Sequence, residues 1–443
     1  MQRSPLDAER RVTAWVMASL LIERLAALLL LPPFVFNDSP SYSIPARFFT
    51  QHWTFVNMAQ RLPAYPLLLS FFYSLSLGDV AIVAFQHTLG LFAIYLVLRM
   101  ISGAVPKLIA GLFFMLDMNL LLHEHAILPD LLLTLEITAI VYSMKRYFIT
   151  GGIWVLGCAG AVIAAAVLTK PVFQLYPWFA AAGLLVVWAV QRAGRKEIGP
   201  RLAVFLLPAV ACVGLWSFRN YEKFHFFGMT PYSGFQKAAC VEDFIDFSSP
   251  SYPELKAVFK RKLEAKKTTG EFAVRGVWQE LSSMPGNDEI TLNRQLGGLY
   301  WEAVRKYPLK YVARAAREEV KLFLSNDSIL AYASPRISAL SMTEEFRRGN
   351  RRDAALKFIL NLYLVHWLMV AGFVFSFFSS GRALWGGERV FRLFALLTIF
   401  YVTGVTVFAD YGLARYRLPV QPLIIMFSAS GWARLITDYF VPA

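Results

Sequence analysis

The chain has 443 residues, of which 57% are hydrophobic, 15% aromatic and only 17% charged. Soluble chains carry about 25% charged residues, so this composition excludes disorder, a fibrous repeat and an ordinary cytosolic enzyme. A net charge of +14 points first to cytoplasmic loops and anionic membrane lipids. It does not point to nucleic acid, because no basic run is interleaved with aromatics in a soluble-looking stretch.

The N-terminal MQRSPLDAERR is too charged for a cleaved signal peptide and predicts a cytoplasmic tail before a retained first span. Apolar runs predict spans at about 12–36, 80–98, 108–122, 127–144, 153–168, 172–190 and 203–216, then 356–378, 390–408 and 418–436. The run at 65–77 is short, preceded by Pro63 and interrupted by Pro66. It predicts a re-entrant or juxtamembrane helix inside a first outer loop, 37–79. Charge decides the matter. With both chain ends cytoplasmic, the short inner segments hold Arg10, Arg11, Arg99, Lys145 and Arg146 among others, and the short outer ones hold only Arg47, Arg61, Lys170, Arg415 and Arg417. A full span at 65–77 would invert every later helix and destroy that bias.

The fold class predicted is therefore an all-α polytopic membrane protein with about ten transmembrane helices. Residues 1–216 form an N-terminal membrane module, 217–354 a small helical outer segment, and 355–443 the C-terminal membrane helices. Within the outer segment, 293–324 has a helical apolar period, with a boundary expected at Pro308. Three cysteines (Cys158, Cys212 and Cys240) lie far apart and make no CxxC pair, which argues against a disulfide framework or a zinc site.

Ionisable residues gather at the outer ends of the spans. Asp38 follows the first span in FNDSPSYSIPARFF, and Glu124 and Asp130 bracket a helix start in HEHAILPD. Lys170 ends a span in LTKPVF, Arg219 opens the outer segment in SFRNY, and Arg415 and Arg417 stand in ADYGLARYRLP. Carboxylates and cations thus meet at one depth. A carboxylate can take a proton from an attacking hydroxyl, and Arg or Lys can hold a phosphate. If RYRLP is extended, Arg415 and Arg417 point to the same side. His123 and His125 flank Glu124, so a divalent metal ion on these three is one further expectation. Glu23 and Arg24, within the first span, read as a structural polar pair, and His87 as packing.

These motifs, in this order, resemble the GT-C glycosyltransferase superfamily, which includes the dolichyl-phosphate-mannose-protein mannosyltransferases and the lipid A aminoarabinose transferase. The resemblance rests on Asp38 with Tyr42, Ala46 and Arg47, and on an RxPxYP pattern at Arg61, Pro63, Tyr65 and Pro66. It continues through Glu124 and Asp130, Lys170-Pro171, Arg219-Asn220-Tyr221, and RYRLPxxP from Arg415 to Pro422. Two departures are the LPD before Asp130 and an outer segment smaller than the C-terminal domains of many relatives.

The resemblance implies an enzyme of the bacterial inner membrane with its active site on the outer, periplasmic face. It would move a sugar from a polyprenyl-phosphate donor to a glycan, lipid or protein acceptor, with inversion and no required cofactor. Asp38 would be the base, and Glu124 and Asp130 further catalytic carboxylates. Tyr42, Arg47, Arg61 and Tyr65, with Lys170, Arg219, Arg415 and Arg417, would bind substrate. The alternatives are a glycan ligase or polymerase using polyprenyl diphosphate donors, and a non-catalytic transporter of lipid-linked saccharides. A transporter should carry charges along a path through the midplane, where this sequence has few.

Overall fold

The computed structural model describes residues 5–55, 60–191, 194–269, 273–284, 288–326, 342–378 and 387–440. The first helix, α1 (Pro5–Leu30), is followed by two short ones, α2 (Pro40–His52) and α3 (Ala64–Ser74). Eleven residues of helix extend about 16 Å, half the hydrocarbon thickness of a bilayer, so α3 does not cross. Next come α4 (Asp79–Met100), α5 (Ala104–Met115), α6 (Met118–Glu124), α7 (Asp130–Thr150), α8 (Ile153–Thr169), α9 (Tyr176–Val190) and α10 (Arg195–Phe224).

Among the described residues, five helical segments are long and apolar enough to cross a membrane, or seven if each of two bent pairs is one span. The ten expected apolar runs are all helical, but not all are simple spans. The run at 108–122 is split into α5 and α6, bent by 59°. The run at 356–378 is split between α17 (Arg351–Leu360) and α18 (Tyr363–Phe378), bent by 57°. α8 is short, and α7 carries Asp130, Glu136, Lys145 and Arg146. Neighbours, α8 and α4 foremost, bury Asp130 and Glu136, whereas Lys145 is partly buried and Arg146 exposed near the helix's far end. The chain is thus a multi-pass membrane protein.

The sequence places the outer segment's start at 217, but α10 runs unbroken to Phe224 and stops where His225 takes φ +53°. Beyond it lies a cap of polar helices: α11 (Ser233–Ala239), α12 (Pro253–Thr269), α13 (Ala273–Ser282), α14 (Glu289–Lys306) and α15 (Pro308–Leu324). The break between α14 and α15 falls at Pro308, as its ring demands. Phe259, Val277, Leu296 and Leu299 build a cap core separate from that of the bundle. Residues 327–341 of the outer segment lie outside the described residues. The chain closes with α16 (Met342–Arg347), then α17, α18, α19 (Gly387–Ala409), a 3₁₀ turn at Ala414–Val420, and α20 (Gln421–Phe440).

One end of the bundle collects the cap, the first loop and the 3₁₀ turn. Tyr411 donates to the Ala239 carbonyl at 2.7 Å, and Arg314 donates to the Val407 and Asp410 carbonyls at 2.9 and 2.8 Å. A small core of Phe34, Phe36, Tyr42, Tyr65, Leu69 and Leu122 seats α2 and α3 on the bundle.

Candidate active site

A short parallel pairing sets the register of the site. The Phe34 amide donates to the His125 carbonyl at 2.8 Å, and the Ile127 amide to the Phe34 carbonyl at 3.0 Å. The segment after α1 is thereby stitched to the loop before α7. A turn follows at once: the Phe36 amide donates to the Ser39 hydroxyl at 2.9 Å. Ser39 is buried, and the Asp38 side chain beside it stays 46% exposed.

Asp38 and Asp130 share one guanidinium. Arg415 Nε donates to Asp130 Oδ2 at 3.1 Å, and its Nη1 to Asp38 Oδ2 at 3.2 Å. Lys170 donates to Asp130 Oδ1 at 2.6 Å. Arg61 reaches Asp38 Oδ1 at 3.2 Å, while its Nε donates to the Ser41 hydroxyl at 2.8 Å. Five groups from four separate stretches of chain therefore alternate in sign. Lys170 stands where α8 ends, extended ahead of Pro171. Asp130 opens α7 without capping it, since both its oxygens are taken by cations.

The two carboxylates differ in what holds them. The Asp130 side chain is fully buried, so its pairs are desolvated and removing a partner would be costly. Asp38 is half exposed, and its contacts of 3.2 Å are longer than the 2.7–2.9 Å usual for N–H donors on a carboxylate. Exposed pairs of this kind are worth about 0–1 kcal/mol, so an incoming anion can displace them. Burial pulls the Arg415 pKa down, but Asp130, Tyr416 and Asp38 together outweigh it and hold the guanidinium above its ordinary range. Three cations against two carboxylates leave one positive charge for a ligand.

Tyr42 and Tyr65 form the aromatic wall. Arg61 lies over the Tyr42 ring at 4.6 Å, and Tyr42 meets Tyr65 edge to face at 5.5 Å. The Tyr65 hydroxyl donates to Gln86 at 2.8 Å, and Gln86 donates to the Glu124 and Ala126 carbonyls at 2.9 and 2.8 Å. Gln86 and Ser41, both missed in the sequence, position this wall and Arg61. Ser41 stands three residues after Asp38, and that proximity was the available signal.

Other expected site residues are placed elsewhere. Arg417 does not share the side of Arg415. The segment is a 3₁₀ turn rather than an extended strand, so residues two apart are rotated by about 240°. Arg417 is fully buried and donates to the carbonyls of Leu322 and Ser325 (2.8 Å to Ser325), to Gln421 at 2.8 Å and to Asn326 at 3.2 Å. Arg47 lies over the Tyr73 ring at 4.2 Å. Arg219 donates to Asn220 at 2.8 Å and to the Phe55 carbonyl, and covers Trp216.

Glu124 is not part of the charged cluster. It is fully buried, bonded to His87 at 2.5 Å and ion-paired with Arg24 at 3.3 Å, and Arg24 also pairs with Glu23. Gly90 makes room for it, because a Cβ there would lie 2.2 Å from Glu124 Oε1. So Arg24 and His87 do more than the sequence suggested: they hold the second-loop carboxylate from two other helices. His123 donates to the Asn119 carbonyl at 2.8 Å, and His125 contacts Pro32 and His87. Glu124 and His125 thus meet on opposite ring nitrogens of His87, while His123 turns to Asn119. Among the described residues no group of three or more His, Cys, Asp or Glu is arranged to hold a metal ion.

The fold is GT-C-like, a likeness of fold alone that comparison with solved structures shows. The archaeal oligosaccharyltransferase AglB from Archaeoglobus fulgidus, in complex with an inhibitory peptide and a dolichol-phosphate, matches 96% of this chain with a TM-score of 0.51 and 14% identity. This chain spans 50% of its length. ArnT from Cupriavidus metallidurans bound to undecaprenyl phosphate matches 96% of this chain and 79% of its own, at 17% identity and a TM-score of 0.41. Its apo state matches 96% and 78%, at 16% identity and a TM-score of 0.38. No family model and no curated protein matches the chain.

Proposed function

We propose that this protein is a glycosyltransferase that moves a sugar from a polyprenyl-phosphate donor to an acceptor hydroxyl by single displacement with inversion. One observation carries the reading: a half-exposed carboxylate, Asp38, shares the Arg415 guanidinium with a fully buried carboxylate, Asp130, while Lys170 and Arg61 complete a cluster of net positive charge. The GT-C-like fold and its dolichol-phosphate-bound neighbour AglB support it.

The donor phosphate displaces the weak Arg61 and Arg415 contacts on Asp38 and takes them itself. Asp38 is then free to receive the acceptor's hydroxyl proton. The acceptor oxygen bonds to the anomeric carbon as the bond from that carbon to the phosphate oxygen breaks. The electron pair leaves with the phosphate. The growing charge is met by Arg415, which Asp130 and Lys170 hold in place, so the cation acts most strongly in the transition state. The bias of Lys and Arg between the short loops supports an outer-face position for this end of the bundle, in a bacterial inner membrane. The acceptor is a glycan, lipid or protein.

The test is transfer by the purified chain in liposomes, with radiolabelled sugar on polyprenyl monophosphate and, in parallel, a glycan on polyprenyl diphosphate. Consumption of the monophosphate donor, abolished in Asp38→Asn, supports the reading. Use of the diphosphate donor alone, or equal turnover by Asp38→Asn, overturns it.

A further inference from the structure

The cap contains a cavity of about 270 Å³ between the turn after α10 and one face of α14. Phe226, Thr230 and Ser233 line one side, and Arg294, Gly297 and Trp301 the other. Arg294 and Trp301 are seven residues apart, two turns of helix, and so share a face. The opposite face of α14 already serves the cap core through Leu292, Leu296, Leu299 and Ala303.

Trp301 lies off that core face: its ring meets Tyr300 edge to face at 5.0 Å, and it remains 50% exposed. Arg294 beside it is exposed too. Gly234 brings α11 directly onto α14, since a Cβ there would fall 1.8 Å from the Asn293 carbonyl oxygen.

One hydrogen bond links the cavity lining to the segment that carries Arg61. The Thr230 hydroxyl donates to the Gln60 carbonyl at 3.4 Å. Gln60 directly precedes Arg61, whose guanidinium holds Asp38.

We propose that this cavity binds a saccharide portion of the acceptor. A pyranose has one face of C–H groups and a rim of hydroxyls. The half-exposed indole offers a flat apolar surface for the first. Arg294, with its planar set of donors, and Ser233 serve the second. A bare peptide or lipid hydroxyl would use neither. The proposal rests on the transferase reading above and narrows it: the acceptor already carries sugar.

The test separates the two. The purified full chain is screened by fluorescence titration against soluble neutral and acidic oligosaccharides, with no donor present. At least one oligosaccharide binds the wild type, Trp301→Leu weakens it by about tenfold, and Trp301→Phe retains most of the affinity. Arg294→Ala, an exposed change, weakens binding even if Trp301→Leu proves unstable. Absence of binding by the wild type, or equal binding by the wild type and both Trp301→Leu and Arg294→Ala, overturns the proposal. A wild type that binds the saccharide but consumes no polyprenyl-phosphate donor removes the transferase reading and leaves the saccharide site standing.

Discussion

Arg415 and Arg417 are two residues apart in the same 3₁₀ turn, yet they serve different regions of the molecule. Arg415 faces the loop-level cluster, where both of its bonds go to carboxylates and one of those, Asp38, is open to solvent. Arg417 faces inward, where neutral carbonyls of the α15 end and the Gln421 side chain take its protons and no solvent reaches it. Gln421 in turn donates to Asp117 at 2.6 Å, tying the turn to the start of α6. A similar contrast separates Asp38 from Glu124. Both are loop-end carboxylates in the sequence, but Glu124 is sealed between Arg24 and His87. Residue type and depth along the chain do not distinguish reactive charge from architectural charge. Exposure and the nature of the partner do.

The largest way to break this comparison is Arg417→Ala. It removes the donor shared by the Leu322, Phe323 and Ser325 carbonyls, and a buried carbonyl stripped of its donor costs about 1–3 kcal/mol. A loss of about 3 kcal/mol in stability is expected in thermal or denaturant unfolding, with turnover per folded molecule unchanged. If turnover falls and stability does not, Arg417 belongs to the site after all. Asp38→Asn should do the reverse. Removing the base costs about 10²-fold in turnover, and because its pairs are half exposed, the melting temperature should stay within a degree or two. An unfolded Asp38→Asn would make that carboxylate structural.

Arg415→Ala tests whether the shared guanidinium works on the phosphate. A fall of roughly 30-fold in kcat is expected, larger than any rise in KM for the donor, and Arg415→Lys should restore part of it because the fork is lost but the charge remains. An effect on KM alone would limit Arg415 to ground-state binding. Gly90→Ala addresses the buried side. Its methyl collides with Glu124, so stability should drop by about 1–3 kcal/mol, with melting as the readout. A neutral result would mean that the Arg24–Glu124–His87 knot can shift freely. Arg47→Ala should have the smallest effect. The residue covers the Tyr73 ring and not the cluster, so a cation–π contact of about 0.5–1 kcal/mol is lost and transfer should change less than threefold. A larger loss of transfer would bring Arg47 to the substrate.

Much of the site was legible because its members stand at punctuated helix ends. Asp38, Arg61, Asp130, Lys170 and Arg415 each lie beside a proline or an apolar run's edge, which puts them at one depth before any coordinates are known. What could not be read was direction. Arg417 was expected to join Arg415 because an extended strand sends alternate residues the same way, and the 3₁₀ turn reverses that. Arg219 and Arg47 lie at the right depth but turn to nearby aromatics and a carbonyl.

The sequence by itself determined the membrane class, the short non-crossing helix α3, the break at Pro308 and the gathering of charges at one end of the bundle. These follow from local quantities: the length of an apolar run, the ring of a proline, the bias of Lys and Arg between loops. Only the tertiary structure decided which charges meet. The pairing of Asp130 with Lys170 and Arg415, and of Glu124 with Arg24 and His87, joins residues from distant parts of the chain. Such pairs depend on how helices rotate about their axes and bend at their breaks, and that rotation is set by packing between helices that no single stretch of sequence contains.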